Sequence, residues 1–173
     1  FQFKKQLIAA IIGLALVFGF AFFDYRHIKA FALPIYAAGL AVLGSVLIFG
    51  TTIRGTRGWF VLGSLSFQPV EIAKILLAIF LAFYVSKHTH RRIGLVAFFG
   101  SALATGLYVG LVLLQPDFGS AAVMIAMWLT VVFFAGIPRR AAIALVLSFV
   151  AISGLVWQVG LKPYQRERLV SFF

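Results

Sequence analysis

Two ionisable side chains, Glu71 and Lys74, stand three residues apart in the apolar run FQPVEIAKI at 67–75. That spacing places them on one helix face, where they can pair. A charge within a membrane helix is costly and faces a bundle interior or water. The pair is therefore either a self-neutralising ion pair that pins helix packing or part of a polar cavity wall. A further acid, Asp117, lies in QPDFGS at 115–120. Pro116 suits a helix break or a first helical turn, so Asp117 reads as an N-cap. A cap carboxylate at a cavity rim can also hold a cation, and the two roles are compatible. Gln68-Pro69 and Gln115-Pro116 punctuate the chain alike, each followed closely by an acid. Whether Lys74 pairs with Glu71 or with Asp117 is open at this stage.

The cations that accompany these acids are mostly arginines. Arg54, Arg57 and Trp59 lie in TTIRGTRGWFVLGSLSFQP at 51–69. This stretch is long for a connector. It reads either as an interfacial loop with a Trp anchor or as a lid that holds an anionic headgroup, because the planar arginine fork matches phosphate. The tail LKPYQRERLVSFF adds Lys162, Tyr164, Gln165, Arg166 and Arg168. It reads as an interfacial amphipathic helix on anionic lipid or as a second phosphate-recognising segment. There is no cysteine, and no acid neighbours His88 and His90. No disulfide framework and no metal site are expected.

The elements that position these groups follow from composition. The 173 residues are 63% hydrophobic and 11% charged, against about 45–50% and about 25% for soluble domains. An all-α polytopic membrane protein is expected, since each lipid-exposed backbone must satisfy itself within a helix. At roughly 20 apolar residues per span, six spans are expected, at about 6–23, 31–50, 70–86, 94–115, 119–136 and 141–160, in one domain over 1–173. The start KKQLIAAIIGLALVFGFAFF mimics a signal peptide. Five further spans follow and no small-x-small site ends it, so it reads as a span. With no initial Met and an end at SFF, the sequence reads as a piece of a longer protein. Gly13/Gly19 and Gly39/Gly44 are expected at close helix contacts. The net charge of +11 punctuates membrane spans, which excludes nucleic acid as its target.

Six spans place the 51–69 loop, the QPDFG turn and the tail on one side. Glu71 and Lys74 begin the third span on that side, Lys74 only about 7–8 Å below Pro69 at the helical rise per residue. The Lys and Arg counts tie. One side carries Arg26, Lys29, Lys87, Arg91, Arg92, Arg139 and Arg140, and the other Lys4, Lys5, Arg54, Arg57, Lys162, Arg166 and Arg168. The positive-inside rule explains one set, and a ligand is a reason for the other.

RGW at 57–59 with FVLG at 60–63, FQPVEIAK at 67–74, QPDFGS at 115–120 and KPYQRERLVSF at 162–172 together resemble the SEDS family (shape, elongation, division and sporulation; RodA and FtsW). The motifs stand in the family's order and at its spacing. They cover roughly the second to the seventh helix of a ten-helix fold. DYR at 24–26 leans toward RodA. Val70 departs from the family's usual Q-P-S-E, while Glu71 and Lys74 match. The resemblance implies a peptidoglycan glycosyltransferase polymerising lipid II at the outer face of the bacterial cytoplasmic (inner) membrane. It also implies a class B penicillin-binding protein as partner, alongside membrane lipids. The family's catalytic Asp would lie beyond residue 173, so these residues alone are expected to be inactive.

Glycosyl transfer from a lipid pyrophosphate needs a base for the acceptor hydroxyl and positive charge for the leaving group. Arg54, Arg57, Lys162 and Arg166 are the candidate pyrophosphate contacts. Glu71, Lys74 and Asp117 are the candidate cavity lining, and Trp59, Gln68, Gln115, Tyr164 and Gln165 the candidate lid or interface. No cofactor is required by the sequence, and a divalent cation (Mg²⁺ or Mn²⁺) is compatible with acids beside phosphates. The rivals are a flippase or other transporter, which would need a polar path to both faces, and a scaffold for a penicillin-binding protein.

Overall fold

The structure, a computed structural model, describes residues 2–22, 25–53, 55–63, 65–89, 92–137 and 139–155. Among the described residues seven helices and three short strands follow one another: α1 (Gln2–Ala21), α2 (Tyr25–Ala30), α3 (Ala32–Phe49), β1 (Thr51–Ile53), β2 (Thr56–Leu62), β3 (Leu65–Phe67), α4 (Pro69–His88), α5 (Leu95–Leu114), α6 (Phe118–Phe134) and α7 (Arg139–Leu155). Helices α3, α4 and α5 are long and apolar enough to cross a membrane, and α6 is a shorter apolar helix. The 51–69 segment departs from the all-α expectation. It is an antiparallel sheet ordered β1-β2-β3. Strand-forming aromatic and β-branched residues, Trp59, Phe60 and Val61, fill β2.

The helix ends obey local chemistry. Pro69 takes the first position of α4, with Glu71 in the first turn and Lys87 and His88 in the last. Acid at the start and base at the end both suit the helix dipole. At the end of α3 the Gly50 N–H bonds Val46 O. The Arg57 side chain reaches back to carbonyls that the helix leaves open, Nε to Gly50 O (3.3 Å) and Nη2 to Ile48 O (3.1 Å).

The packed core lies between α3, α4, α5 and α6. Buried positions recur every three or four residues: Val70, Ala73, Leu77 and Phe80 on α4, and Ala97, Ser101, Ala104, Tyr108 and Val112 on α5. Lipid is as apolar as these side chains, so packing and interhelical hydrogen bonds must hold the bundle. Two tyrosines supply both. Tyr36 Oη donates to Ala104 O (3.0 Å) and Tyr108 Oη donates to Tyr36 O (2.8 Å). The rings of Tyr36 and Phe80 pack with centroids 4.2 Å apart.

Tyr108 reaches the backbone of α3 because residue 39 is glycine. A Cβ there would overlap the Tyr108 hydroxyl, whereas one at Gly13, Gly19 or Gly44 meets nothing within 4 Å. Of the four glycines expected at helix contacts, only Gly39 seats a neighbour among the described residues. Gly100, which the pattern of small residues did not single out, seats Tyr84 in the same way. Gly39→Ala is expected to destabilise the bundle by about 1–3 kcal/mol, the cost of overpacking. Gly44→Ala should leave stability unchanged or raised slightly. Tyr108→Phe should cost about 0.6 kcal/mol, typical of one interhelical hydrogen bond. Denaturant titration of the three variants in detergent micelles checks the ranking.

Candidate functional site

The end of α3, the start of α4, the end of α5 and the start of α6 come together at one end of the core. The sheet lies across that end, β2 packing on both α3 and α4. Side-chain amides join the pieces. Gln115, at the end of α5, is fully buried, and its Nε2 donates to Leu43 O on α3 (3.3 Å). Gln68, just before α4, donates from Nε2 to Asp117 Oδ2 (3.2 Å). The two Gln-Pro corners thus serve as cross-braces between helices.

Asp117 is the N-cap of α6. Its Oδ1 accepts the Ser120 backbone N–H (3.0 Å), and its Oδ2 accepts the Ser120 hydroxyl (2.8 Å) in addition to Gln68. Three of the roughly four lone-pair sites of a carboxylate are therefore engaged. Lys74 turns instead to Glu71, Nζ to Oε1 at 2.8 Å, with the lysine side chain 20% exposed and the glutamate 60%. The choice left open between the two acids falls to Glu71. The pair sits on the rim, with the acid mostly in the open. An exposed pair of this kind contributes at most about 1 kcal/mol to stability.

Arg57 is exposed and spends two of its five donors on the end of α3. Trp59 is half-buried opposite Thr51, whose hydroxyl donates to Trp59 O (3.0 Å). Between them lies Gly58, a position to which the sequence reading assigned no role. The ladder runs from Thr51↔Trp59 to Thr52↔Arg57, so Gly58 is the extra residue of a bulge. Gly58 is buried. A Cβ there would stand 3.2 Å from Gln115 Oε1 and 4.0 Å from Gln68 Nε2. Glycine within an apolar strand was the available signal, since it marks close backbone approach. Ser120 was also without an assigned role. Its signal was the three-residue spacing from an N-cap acid, which puts its N–H and hydroxyl within reach of that acid. Arg54, Lys162, Tyr164, Gln165 and Arg166 lie outside the described residues.

The fold and this site define a multi-pass helical membrane protein in which Gln68, Gln115, Asp117 and Ser120 gather at one helical end under a small sheet. All 173 residues match the family model for FtsW, RodA and SpoVE, described as cell cycle proteins, and the chain belongs to that family. It is similar to a probable peptidoglycan glycosyltransferase FtsW of Halorhodospira halophila, 31% identical over 98% of this chain and 43% of that protein. It is also similar to the peptidoglycan glycosyltransferase RodA of Treponema pallidum, 30% identical over 84% of this chain and 33% of that protein. Among solved structures it resembles a chain of a peptidoglycan synthase complex described as coordinating polymerization and crosslinking. There the identity is 39% over 96% of this chain and 49% of that one, with a TM-score of 0.78. The rod shape determining protein RodA of Thermus thermophilus is 38% identical over 86% of this chain and 49% of that one, with a TM-score of 0.71. The chain thus spans half or less of the length of these relatives.

The Asp117 node generates a stability prediction. Asp117→Ala removes a cap and a cross-brace and should cost about 1–2 kcal/mol. Gln68→Ala should cost less. The double variant should show a coupling of at least about 0.5 kcal/mol, as for side chains in direct contact. Strict additivity in denaturant titration would show that the two side chains do not meet. Gly58→Ala should lower the thermal midpoint, because the added methyl presses on the Gln115 amide.

Proposed function

We propose that this chain supplies six membrane spans to a ten-helix peptidoglycan glycosyltransferase that polymerises lipid II at the outer face of the bacterial cytoplasmic membrane. The observation that carries the reading is the one-ended polar mouth, braced by Gln68 and Asp117, in a chain of this family. Its relatives bear the name peptidoglycan glycosyltransferase.

The mouth offers what a lipid pyrophosphate requires at its leaving side. Arg57 is exposed, with donors to spare after capping α3. Its guanidinium is held by fixed carbonyls, so it presents charge at low reorganisation cost. Arg54, Lys162 and Arg166 are assigned to the same pyrophosphate, with Tyr164 and Gln165 beside them. Lys74 and Glu71 set the charge at the rim. Asp117 holds the mouth in shape through Gln68 and Ser120. Trp59 and the sheet form the cover. The base that takes the proton of the acceptor hydroxyl is assigned to an Asp beyond residue 173. A divalent cation, Mg²⁺ or Mn²⁺, would add positive charge at the pyrophosphate. A class B penicillin-binding protein would cross-link the strands.

A carrier would need polar groups along the whole bundle. Away from the mouth the buried side chains are chiefly apolar, among them Leu77, Leu81, Met124 and Val132. Ser101 and Thr105 give their hydroxyl protons to helix carbonyls, Phe98 O and Ser101 O. This supports a one-sided site.

Lipid II polymerisation by the full natural protein in liposomes tests the reading. Arg57→Ala should slow it at least about tenfold, or roughly 1.4 kcal/mol of barrier, with Arg57→Lys partly restored. Asp117→Asn and Glu71→Gln should each reduce the rate, with folding verified separately. Wild-type rates in all of Arg57→Ala, Asp117→Asn and Glu71→Gln would sink the assignment of this mouth.

A further inference from the structure

The sheet is a strap with two ends of opposite chemistry. Helix α3 enters it where Thr51 pairs with Trp59, and the chain leaves for α4 after Phe67, which pairs with Phe60. Both roots therefore attach at the middle of β2. From there β2 projects in two directions. One end turns at Gly55 (φ 83°) within TTIRGTR, which is polar and basic. The other turns at Gly63 (φ 60°) within FVLGSLSF, which carries no charge and five large apolar side chains among its eight residues. Hairpin tips in contact with water are polar, so the second end is built for another medium. At about 3.4 Å per strand residue, Leu62 lies roughly 10 Å from the root at Trp59.

On this end Val61 is 45% exposed and Phe67 44%, while Phe60 is half-buried. The helices that carry the sheet also have uncovered apolar side chains at the ends next to it. Ile48 and Phe49 are exposed on the last turn of α3, and Ile72 and Ile75 on the first two turns of α4. These two helices are long and apolar enough to be membrane spans, and uncovered apolar side chains at their ends are suited to acyl chains. The root is held firmly by the Arg57 contacts to α3, the Thr51–Trp59 bond and the close seat of Gly58 on Gln115. The apolar end thus leaves the bundle at the level where the spans meet the headgroups.

We infer that the apolar wing of the sheet, at Val61 and Phe67, inserts into the phospholipid leaflet at this mouth, while the Gly55 end stays in water. The sheet is then anchored from two sides, by helix ends at its middle and by lipid at one wing. The inference concerns a lipid-binding surface and does not depend on the chemistry performed at the mouth.

The 173 residues contain no cysteine, and with any cysteine elsewhere in the full natural protein replaced by serine, single labels can be placed. Val61→Cys, Phe67→Cys and, as the aqueous reference, Thr52→Cys would each carry an environment-sensitive fluorophore. The full natural protein would be placed in nanodiscs of phosphatidylglycerol and phosphatidylcholine, with or without brominated acyl chains. The labels at 61 and 67 should emit to the blue of that at 52 and be quenched several-fold more by brominated lipid. Two labelled positions guard against one variant that fails to fold, which size-exclusion elution would reveal. Water-like emission with no bromolipid quenching at both positions would overturn the inference. So would blue-shifted emission that brominated lipid leaves unquenched, because a protein surface would then cover the wing.

Discussion

The mouth of this bundle depends on one carboxylate finding its hydrogen-bond donors inside the protein. Asp117 stands where α5 has ended and α6 has to begin, half-buried, at a point with four open N–H groups ahead of it. It takes the N–H and hydroxyl of Ser120 from its own helix and the amide of Gln68 from the start of α4. The capping requirement of one helix is thereby made to fix the position of another. Lys74 then has Glu71 as its counter-ion, one turn along the same helix.

The other Gln-Pro corner works on the same principle with an amide in place of an acid. Gln115 gives its N–H to Leu43 O on α3, which turns its Oε1 toward the bulge at Gly58. A Cβ at 58 would stand 3.2 Å from that oxygen, so the amide or the strand would have to give by a few tenths of an ångström. The sheet's position over the mouth thus follows from a missing Cβ and a buried amide. Deeper in the bundle, Tyr108 and Gly39 repeat the device: a polar tip finds a backbone carbonyl because a glycine opens the way to it. In a medium that offers no hydrophobic drive between helices, such paired close approaches replace the apolar core of a soluble protein.

Much of the helical layout was legible in the sequence. The span read at about 70–86 is the helix Pro69–His88, and that read at about 94–115 is Leu95–Leu114. Their ends are marked by Pro69 and by QPDFG, local signals that need no tertiary partner. The capping role of Asp117 was equally local. The sheet was not legible, because its strands are three to seven residues long and carry no sustained alternation. Apolar residues on both faces of β2 look like an interfacial loop until the pairing partners are known. Glycines posed a similar problem. Gly39 and Gly44 look alike in sequence, and only the approach of Tyr108 distinguishes them.

By itself the sequence determined the medium and the helices, and it set Arg57, Glu71 and Asp117 close to helix ends, since hydrophobicity and Pro punctuation are properties of the chain taken in order. Family motifs at 57–63, 67–74 and 115–120 were likewise readable as text. Only the tertiary structure decided who pairs with whom. Asp117 went to Gln68 and Ser120, Lys74 to Glu71, Arg57 to the carbonyls of α3, and Gln115 to Leu43. Such choices depend on distances between segments as many as 72 residues apart. No local preference encodes those distances, because they emerge only when the helices pack.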